Sequence, residues 1–420
     1  MAAMLYPVGT VTNASGHLEI GGCDVVELAA EYGTPAYVFA VAEMRARAQA
    51  YTQAFAGHTD DFEVLFASKA LPVTAAYRLF AEEGLSVDVA SGGELTMALA
   101  AGYAPEKIYM HGNNKTDVEL QLAESAGVGH LIIDSFDEIE RCERVLTGTQ
   151  DVLIRVTPGI KPSTHSYIQT GQLDSKFGFG LENGSAAEAI QRVLASETLN
   201  LVGLHFHIGS QIFEIEPFRL AVEQLAQLKG DWLRILDLGG GLGISYGEED
   251  EPPEISSYVD LKFAAVKEFF GDGIRILIEP GRSLVGTAGV TIYTVGTIKE
   301  IAGVRTYLSV NGGMSDNLRP MLYDAKYAAV IADRADDEAN RVVTIAGSHC
   351  ESGDILVRDV ALADPQVGDI LLTPATGAYG HSMANNYNGM PRPPVIFCED
   401  GQSRVVVRRE TYEDLLARDA

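Results

Sequence analysis

The chain has 420 residues, of which 46% are hydrophobic and 21% charged, and it carries a formal net charge of -27. This composition excludes a disordered chain and predicts two domains with a substantial core, while the negative charge excludes nucleic acid and acidic membrane surfaces as partners. The sequence shows neither an apolar run of roughly 18 to 20 residues nor a signal-peptide pattern, so we expect a cytoplasmic protein. The four cysteines form no CxxC pair, which argues against a disulfide framework.

Eight short aliphatic or β-branched runs follow one another through the first two thirds of the chain. Most of them are followed by an amphipathic stretch, as parallel strands require, and eight such units close a (β/α)8 barrel. A stretch with apolar residues at helical spacing, 41–55, precedes the first run and predicts an outer helix. The predicted strands are 62–67, 85–90, 107–111, 130–134, 151–156, 200–207, 233–238 and 275–279.

After about residue 285 the sequence pattern changes to successive predicted strands that are separated by glycines. The segment "PVGTVTNASGHLEIGG" near the N-terminus has the same sequence pattern. We therefore predict an α/β plus all-β chain, with a TIM-type (β/α)8 barrel over 38–284. The second domain is predicted to be a β-sandwich or β-barrel formed by 1–37 and 285–420.

A lysine stands at the end of the first predicted barrel strand, in "FEVLFASKA". Barrel enzymes carry their chemistry at the C-terminal ends of the strands. An amine that is partly desolvated there favours its neutral, nucleophilic form, so Lys69 could form a Schiff base with a carbonyl. The alternative is a lysine that only extends its amine into solvent.

Two glycine-containing segments follow the seventh and eighth strands, "GGGLG" at 239–243 and "EPGRS" at 279–283. Barrels commonly bind phosphate at this position, because the backbone N–H groups of glycines approach the oxygens closely. A phosphate site opposite Lys69 predicts pyridoxal 5'-phosphate as the cofactor. Glu279 would then face the pyridine nitrogen and keep it protonated. The alternative is an ion pair between Glu279 and Arg282.

The sixth strand ends in His205 and His207, which share one face because strand side chains alternate. Such a pair can bind metal, so a metal-dependent hydrolase is an open alternative, although it needs further ligands at other strand ends. With a cofactor bound, His207 would stack on the pyridine ring. His205 would be a core histidine, and no metal would be required.

These strand ends resemble those of the fold-type III pyridoxal phosphate enzymes, and within them the diaminopimelate decarboxylases. The resemblance covers almost the whole chain and includes "THSYIQTG", "KFGF", "NGGMSDNLRPMLYDAKY", "CESGD" and "AYGHSMANNYNG". It implies decarboxylation of meso-2,6-diaminopimelate to L-lysine and CO2, with Lys69 as the Schiff-base lysine. Two arginines and a glutamate would suit the zwitterionic far end of that substrate.

The resemblance also implies roles for individual residues. The implied catalytic residues are Lys69, His207, Glu279 and Cys350. The implied cofactor-binding residues are Lys69, Asp88, His207, Ser210, Gly239, Gly240, Gly241, Glu279, Gly281, Arg282 and Tyr379. The implied substrate-binding residues are Arg282, Arg319, Tyr323, Glu351 and Tyr379.

Cys350 and Glu351 would come from the neighbouring subunit, so the resemblance implies a homodimer with shared active sites. Composition alone would make Cys350 a buried small hydrophobe instead.

The sequence is also compatible with other reactions. Related decarboxylases act on carboxynorspermidine, ornithine, arginine or a tethered amino acid. A racemase shares the fold and the lysine, although it favours a weaker electron sink than Glu279, and a non-catalytic carrier of pyridoxal phosphate would resemble the barrel alone. The loop after the fifth strand could act as a lid.

Overall fold

The structure is a computed structural model that describes residues 5–160 and 175–420. The chain divides into two compact units. The sheet unit contains Met1–Ala46, Ile244–Glu251 and Arg282–Ala420, and the barrel unit contains Arg47–Gly243 and Pro252–Gly281. Within the described ranges, no helix combines the length and the apolar character that crossing a lipid bilayer requires. The string "THSYIQTG" and most of the predicted lid loop lie outside these ranges.

The N-terminal segment supplies a small antiparallel sheet, a helix and one longer strand. Asp24 begins the first helix by accepting a hydrogen bond from the N–H of Val26. The apolar positions at helical spacing within 41–55 are all buried: Val41, Met44, Ala48, Tyr51 and Phe55. These elements are β1 (Val11–Thr12), β2 (Leu18–Ile20), β3 (Cys23–Asp24), α1 (Val25–Tyr32), β4 (Ala36–Ala40) and α2 (Val41–Ala56).

The barrel unit alternates strands and helices. Its strands are β5 (Phe62–Ala67), β6 (Ser86–Val89), β7 (Ile108–Met110), β8 (His130–Ile133), β9 (Gln150–Thr157), the short β10 (Phe179–Gly180), β11 (Leu199–His205), β12 (Ile235–Asp237) and β13 (Arg275–Ile278). Its helices are α3 (Thr74–Glu82), α4 (Gly92–Ala101), α5 (Asp117–Ala126), α6 (Phe136–Val145), α7 (Ser185–Leu194), α8 (Glu216–Leu225) and α9 (Ile255–Phe270).

Eight parallel strands close the barrel, because β9 pairs with both β8 and β11, and β13 pairs with β5. Each predicted strand is present, with its ends within about two residues of the predicted ones. One layer of the interior is apolar and consists of Leu65, Tyr109, Ile132, Leu153, Ile235 and Leu277. The barrel prediction is therefore confirmed, and the polar ends of the strands lie together at one rim.

The sheet unit is built mainly from the C-terminal third of the chain. Its main sheet has the order β18-β17-β15-β14-β4-β20-β21, and β19 pairs with both β14 and β16. The second, all-β part of the fold is confirmed, including the contribution of the N-terminal segment. The elements are α10 (Arg282–Val285), β14 (Gly289–Ile301), β15 (Arg305–Val310), α11 (Arg319–Tyr323), β16 (Val330–Ile331), β17 (Arg341–Ala346), β18 (Ile355–Leu362), β19 (Ile370–Thr373), β20 (Val395–Glu399), β21 (Gln402–Val407) and α12 (Tyr412–Leu416).

The compact units differ from the predicted domains in three places, at residues 38–46, 244–251 and 282–284. Residues 38–46 group with the sheet unit, because β4 forms ladders with β14 and β20. Ile244–Glu251 also belongs to the sheet unit, since Ile244 and Tyr246 pack in a core with Tyr293. This short, mostly polar segment contains two large apolar residues and carries no periodic signal, so sequence alone did not reveal it.

Candidate active site

Lys69 lies in a single 3-10 turn, Ser68–Ala70, directly after β5. Its neighbours in the turn are fully buried, whereas 50% of its own side chain is exposed. The amine Nζ lies 3.8 Å from Oδ2 of Asp88, a buried residue of β6. The turn therefore fixes the backbone of Lys69 in the barrel wall and leaves its amine accessible beside a carboxylate.

Glu279 follows β13 and is flanked by two histidines. His111 Nε2 lies 2.7 Å from one carboxylate oxygen, and His205 Nε2 lies 3.3 Å from the other. Burial by itself raises the pKa of this carboxyl, but the two imidazoles outweigh burial and hold the pKa well below its ordinary value. Glu279 is therefore an anion at the strand ends, and it suits a cationic ring nitrogen.

His111 connects Glu279 with the surroundings of the amine. Its Nε2 also lies 3.8 Å from Oδ1 of Asp88. Burial raises the pKa of the Asp88 carboxyl, and the charges of His111 and Lys69 oppose that rise. A continuous row of ionisable groups thus runs from Lys69 to Glu279. His111 was not identified from the sequence, although its place directly after β7 matches the place of Glu279 after β13.

His205 was expected to be a core histidine, and it is 1% exposed. Burial lowers its pKa to about 3 against the opposing effect of Glu279, so the ring is neutral at pH 7. Its ring meets that of His111 edge to face, with centroids 4.8 Å apart. Among the described residues its Nδ1 has no hydrogen-bond partner. His205 is therefore part of the environment of Glu279 and more than a packing residue.

Four buried side chains, His111, His205, Asp237 and Glu279, place one ligand-type atom each within 4.8 Å of one another. Such a set is compatible with a divalent metal ion. The metal-dependent alternative from the sequence rested on His205 with His207, and His207 is not in this group. Burial and the charge of Glu279 raise the pKa of the Asp237 carboxyl well above its ordinary value.

His207 and Ser210 lie in the loop after β11, and both are partly exposed. Burial and the positive charge of Lys69 lower the pKa of His207 well below its ordinary value. The ring is therefore neutral at pH 7. A neutral, partly exposed imidazole near the amine of Lys69 has the properties that stacking on an aromatic ring requires.

The glycine loop, Gly239–Gly241, packs directly against the backbone of its neighbours. A Cβ on Gly239 would lie 2.4 Å from the carbonyl oxygen of Phe206, and one on Gly240 would lie 2.2 Å from that of Glu279. Gly241 has a φ of +115° and would meet the carbonyl oxygen of Gly209 at 2.4 Å. Only glycine fits at these positions. The N–H of Gly239 donates to Oδ1 of Asp237 at 2.9 Å, so the N–H groups of Gly240 and Gly241 are the ones that suit a phosphate.

Gly281 belongs to the same rim of the barrel unit. A Cβ there would lie 3.0 Å from both the Cβ and the carbonyl oxygen of Ala67. The segments after β13 and β5 are therefore in close backbone contact, which holds Glu279 and Lys69 at a fixed separation.

Two buried arginines of the sheet unit are surrounded by tyrosines. Arg282 donates to the hydroxyl of Tyr246 at 2.5 Å, and its guanidinium lies 4.8 Å from the ring centre of Tyr379. Arg319 donates to the hydroxyl of Tyr327, and its guanidinium lies 4.4 Å from the ring centre of Tyr246. Planar guanidinium groups held in this way suit bidentate recognition of a carboxylate.

Arg319 retains an unused donor. Its Nε is buried and has no acceptor among residues 5–160 and 175–420. Burial by itself lowers the pKa of the guanidinium, but the tyrosine oxygens hold the pKa above its ordinary value. Tyr246 and Tyr327 were not identified from the sequence, because nothing in their local pattern distinguishes them from packing residues.

Cys350 and Glu351 are exposed in a loop between β17 and β18, and Tyr323 ends α11. The interpretation of Cys350 as a buried hydrophobe is therefore wrong, whereas the other three cysteines are buried. Asp354 holds this loop by accepting bonds from the N–H groups of Met314 and His349. The thiol of Cys350 is thus presented on a well-anchored loop.

Comparison with known proteins identifies the class of this protein. Residues 41–286 match the family model described as "Pyridoxal-dependent decarboxylase, pyridoxal binding domain". The residues present fit that cofactor, because they combine a strand-end amine, a buried anion opposite it and a loop in which only glycine fits. The predicted cofactor, pyridoxal 5'-phosphate, is confirmed, and the metal-dependent hydrolase is not supported.

The individual relatives described next all have the same name. Diaminopimelate decarboxylase of Bacillus subtilis (strain 168) is 50% identical over 421 residues, which cover 97% of this chain and 96% of the relative. The enzyme of that name from Halalkalibacterium halodurans is 48% identical, with the same coverage. A crystal structure of diaminopimelate decarboxylase from M. jannaschii with L-lysine is 35% identical, covers 99% of both chains and gives a TM-score of 0.92. The chain belongs to the diaminopimelate decarboxylase family of pyridoxal-dependent decarboxylases.

Proposed function

We propose that this protein removes CO2 from meso-2,6-diaminopimelate and releases L-lysine. The observation that carries the proposal is the pairing of an accessible amine, Lys69, with a permanent buried anion, Glu279, in a chain that shares 50% of its residues with a diaminopimelate decarboxylase. The amine is suited to bind an aldehyde, and the anion is suited to keep a ring nitrogen protonated.

Residues of the barrel unit would hold the cofactor. Lys69 would bind its aldehyde, Glu279 its ring nitrogen, and His207 one face of its ring. Ser210 and the backbone of Gly239, Gly240, Gly241 and Gly281 would surround its phosphate, with Asp88 beside Lys69. When bound, pyridoxal phosphate supplies an electron sink for the bond that breaks at the substrate α-carbon.

Charged residues of the sheet unit would bind the substrate. Arg282, Arg319 and Tyr379 would bind polar groups of the amino acid, and Tyr323 and Glu351 would contact the end that does not react. The buried, unused Nε of Arg319 supports this role, because a carboxylate would satisfy it. Arg282 and Tyr379 would also approach the cofactor.

The chemistry requires one bond to break and one to form at the same carbon. The bond from the α-carbon to its carboxylate breaks and CO2 leaves. A proton then replaces CO2, and the exposed Sγ of Cys350 is the proposed donor. Lys69 accepts and returns protons on its amine as substrate enters and lysine leaves.

We further propose a homodimer with shared active sites, in which Cys350 and Glu351 serve the other subunit, and a cytoplasmic location. The two predicted domains would correspond to the two compact units, apart from residues 38–46, 244–251 and 282–284. Mixing K69A and C350S proteins tests the sharing directly. If the two kinds of subunit pair at random, about half of the dimers are hybrids, and one of the two sites in each hybrid is intact. The mixture should therefore show about a quarter of wild-type activity. No recovery in a mixture shown to contain hybrids would refute shared sites.

The reaction itself is tested by CO2 release from meso-diaminopimelate, compared with ornithine, arginine and carboxynorspermidine. We expect L-lysine and CO2 from the meso isomer alone, and borohydride should attach the cofactor to Lys69. A K69A variant that keeps the wild-type rate would refute the role of Lys69. Racemised amino acid without CO2 would instead support a racemase.

A further inference from the structure

Lys262 of α9 is a fully buried lysine beneath the glycine loop. Its ammonium donates hydrogen bonds to the carbonyl oxygens of Leu238 at 2.7 Å and Gly239 at 3.0 Å. Two aromatic rings of the barrel unit cover it, with Nζ 4.3 Å from the ring centre of Tyr258 and 4.7 Å from that of Phe218. Within the described part of the chain it forms no ion pair with a carboxylate.

A buried ammonium without a carboxylate partner is costly, and it requires an explanation. Burial lowers its pKa to about 7, although Asp237 and Glu279 on the neighbouring strands favour the charged form. The group therefore changes its charge near neutral pH. An additional anion close to it would favour the protonated form.

The hydrogen bonds of Lys262 also orient the glycine loop. The carbonyl of Gly239 and the N–H of Gly240 belong to one trans peptide and point in opposite directions. The carbonyl of Gly239 accepts from Lys262 and also from the N–H of Glu279 at 3.2 Å, so the N–H of Gly240 faces away from both donors. The ammonium also polarises this peptide, which makes its N–H a stronger donor.

We propose that Lys262 is a positioning residue for the cofactor phosphate, acting through the Gly239–Gly240 peptide and through its own buried charge. Lys262 does not touch the reacting atoms. It makes the loop selective for a phosphorylated ligand, and phosphate binding in turn keeps Lys262 protonated. This inference rests on the proposed function, because it takes the glycine loop as the phosphate site.

The test compares two ligands that lack an aldehyde, pyridoxine 5'-phosphate and pyridoxine, so that bonding to Lys69 does not contribute. Their affinities for the full-length protein, stripped of cofactor, are measured by calorimetry at pH 7 and pH 9. The phosphate ester is a dianion throughout this range, since its second pKa is near 6. The ratio of the two affinities isolates what the phosphate contributes.

For the wild-type protein we expect this ratio to fall about tenfold from pH 7 to pH 9, because Lys262 loses its proton. In K262M the ratio should be about tenfold lower already at pH 7 and should not change with pH. K262Q provides a second neutral variant if K262M does not fold. K229M is the matched control, because Lys229 also donates to a backbone carbonyl, that of Phe270. It should behave as the wild type.

A wild-type ratio that is equal at pH 7 and pH 9, or a K262M protein that keeps the wild-type dependence, would overturn the inference. The proposed function is tested separately by adding pyridoxal phosphate to the wild-type protein. If no borohydride-stable label forms on Lys69, the proposed function fails and the inference fails with it. If the label forms but the affinity ratio is independent of pH, only the inference fails.

Discussion

Lys115 and Glu138 form a buried ion pair in the barrel unit whose removal should be strongly destabilising. Their side chains are 1% and 2% exposed, and Nζ lies 2.5 Å from Oε1. The ammonium also donates to the carbonyl oxygens of Gly112 at 2.9 Å and Ile132 at 2.7 Å. The other oxygen of Glu138 accepts from the N–H of Asp134 at 2.7 Å. The pair therefore joins the loops after β7 and β8.

The substitution Lys115→Met would leave the Glu138 carboxylate buried without its counter-ion. Breaking a buried pair in this way costs about 3–5 kcal/mol. In a unit of this size that should lower the midpoint of thermal unfolding by about 6 to 20 °C in differential scanning calorimetry. The double variant K115M/E138Q removes the stranded charge but keeps an acceptor for Asp134, and it should recover about 2 kcal/mol.

The control is Lys107→Met, because Lys107 also donates to a carbonyl, that of Gly84, but is exposed. It should change stability by less than about 0.5 kcal/mol. If K115M unfolds within about 1 °C of the wild type, the pair does not stabilise the loops. If the double variant is no more stable than K115M, a stranded charge is not the cause of the loss.

Three further predictions concern the site and the sheet unit. Glu279→Gln should lower kcat at least about 100-fold, because it replaces the anion held by His111 and His205, and steady-state CO2 release measures this. Gly240→Ala should cost at least about 1–3 kcal/mol in thermal unfolding, since its Cβ would meet the carbonyl oxygen of Glu279 at 2.2 Å. Burial outweighs the bond from Tyr293 and raises the pKa of Asp316 to about 6. The folded protein therefore holds a proton that the unfolded chain has lost between about pH 4 and 6. Wild-type stability should fall relative to Asp316→Asn as pH rises through this window, and parallel curves would contradict the assignment.

The barrel could be predicted from the sequence because its signal is local. Each strand is a short apolar run, each helix follows at regular spacing, and closure needs no information beyond their number. The positions of Lys69 and Glu279 at the ends of strands follow from these strand assignments. The pairing of His111 with Glu279 could not be predicted, because it joins two strands that are distant in the chain.

Lys262 shows a different limit of sequence reasoning. It lies on the same face of α9 as the buried residues Tyr258, Val259 and Val266, at spacings of three and four. The pattern therefore carried the signal of a buried lysine. It was not recognised because a lysine on an amphipathic helix is ordinarily solvent-exposed, and the carbonyls that stabilise this one belong to the distant β12 loop.

The central position of β4 in its sheet has a consequence for synthesis on the ribosome. Its two partners, β14 and β20, begin at residues 289 and 395, so β4 has an unpaired edge until almost the whole chain has emerged. At typical elongation rates this interval is on the order of 20–70 s. All the strands of the barrel emerge before β14 and β20, so the barrel can bury its apolar interior while the edges of β4 are still unpaired.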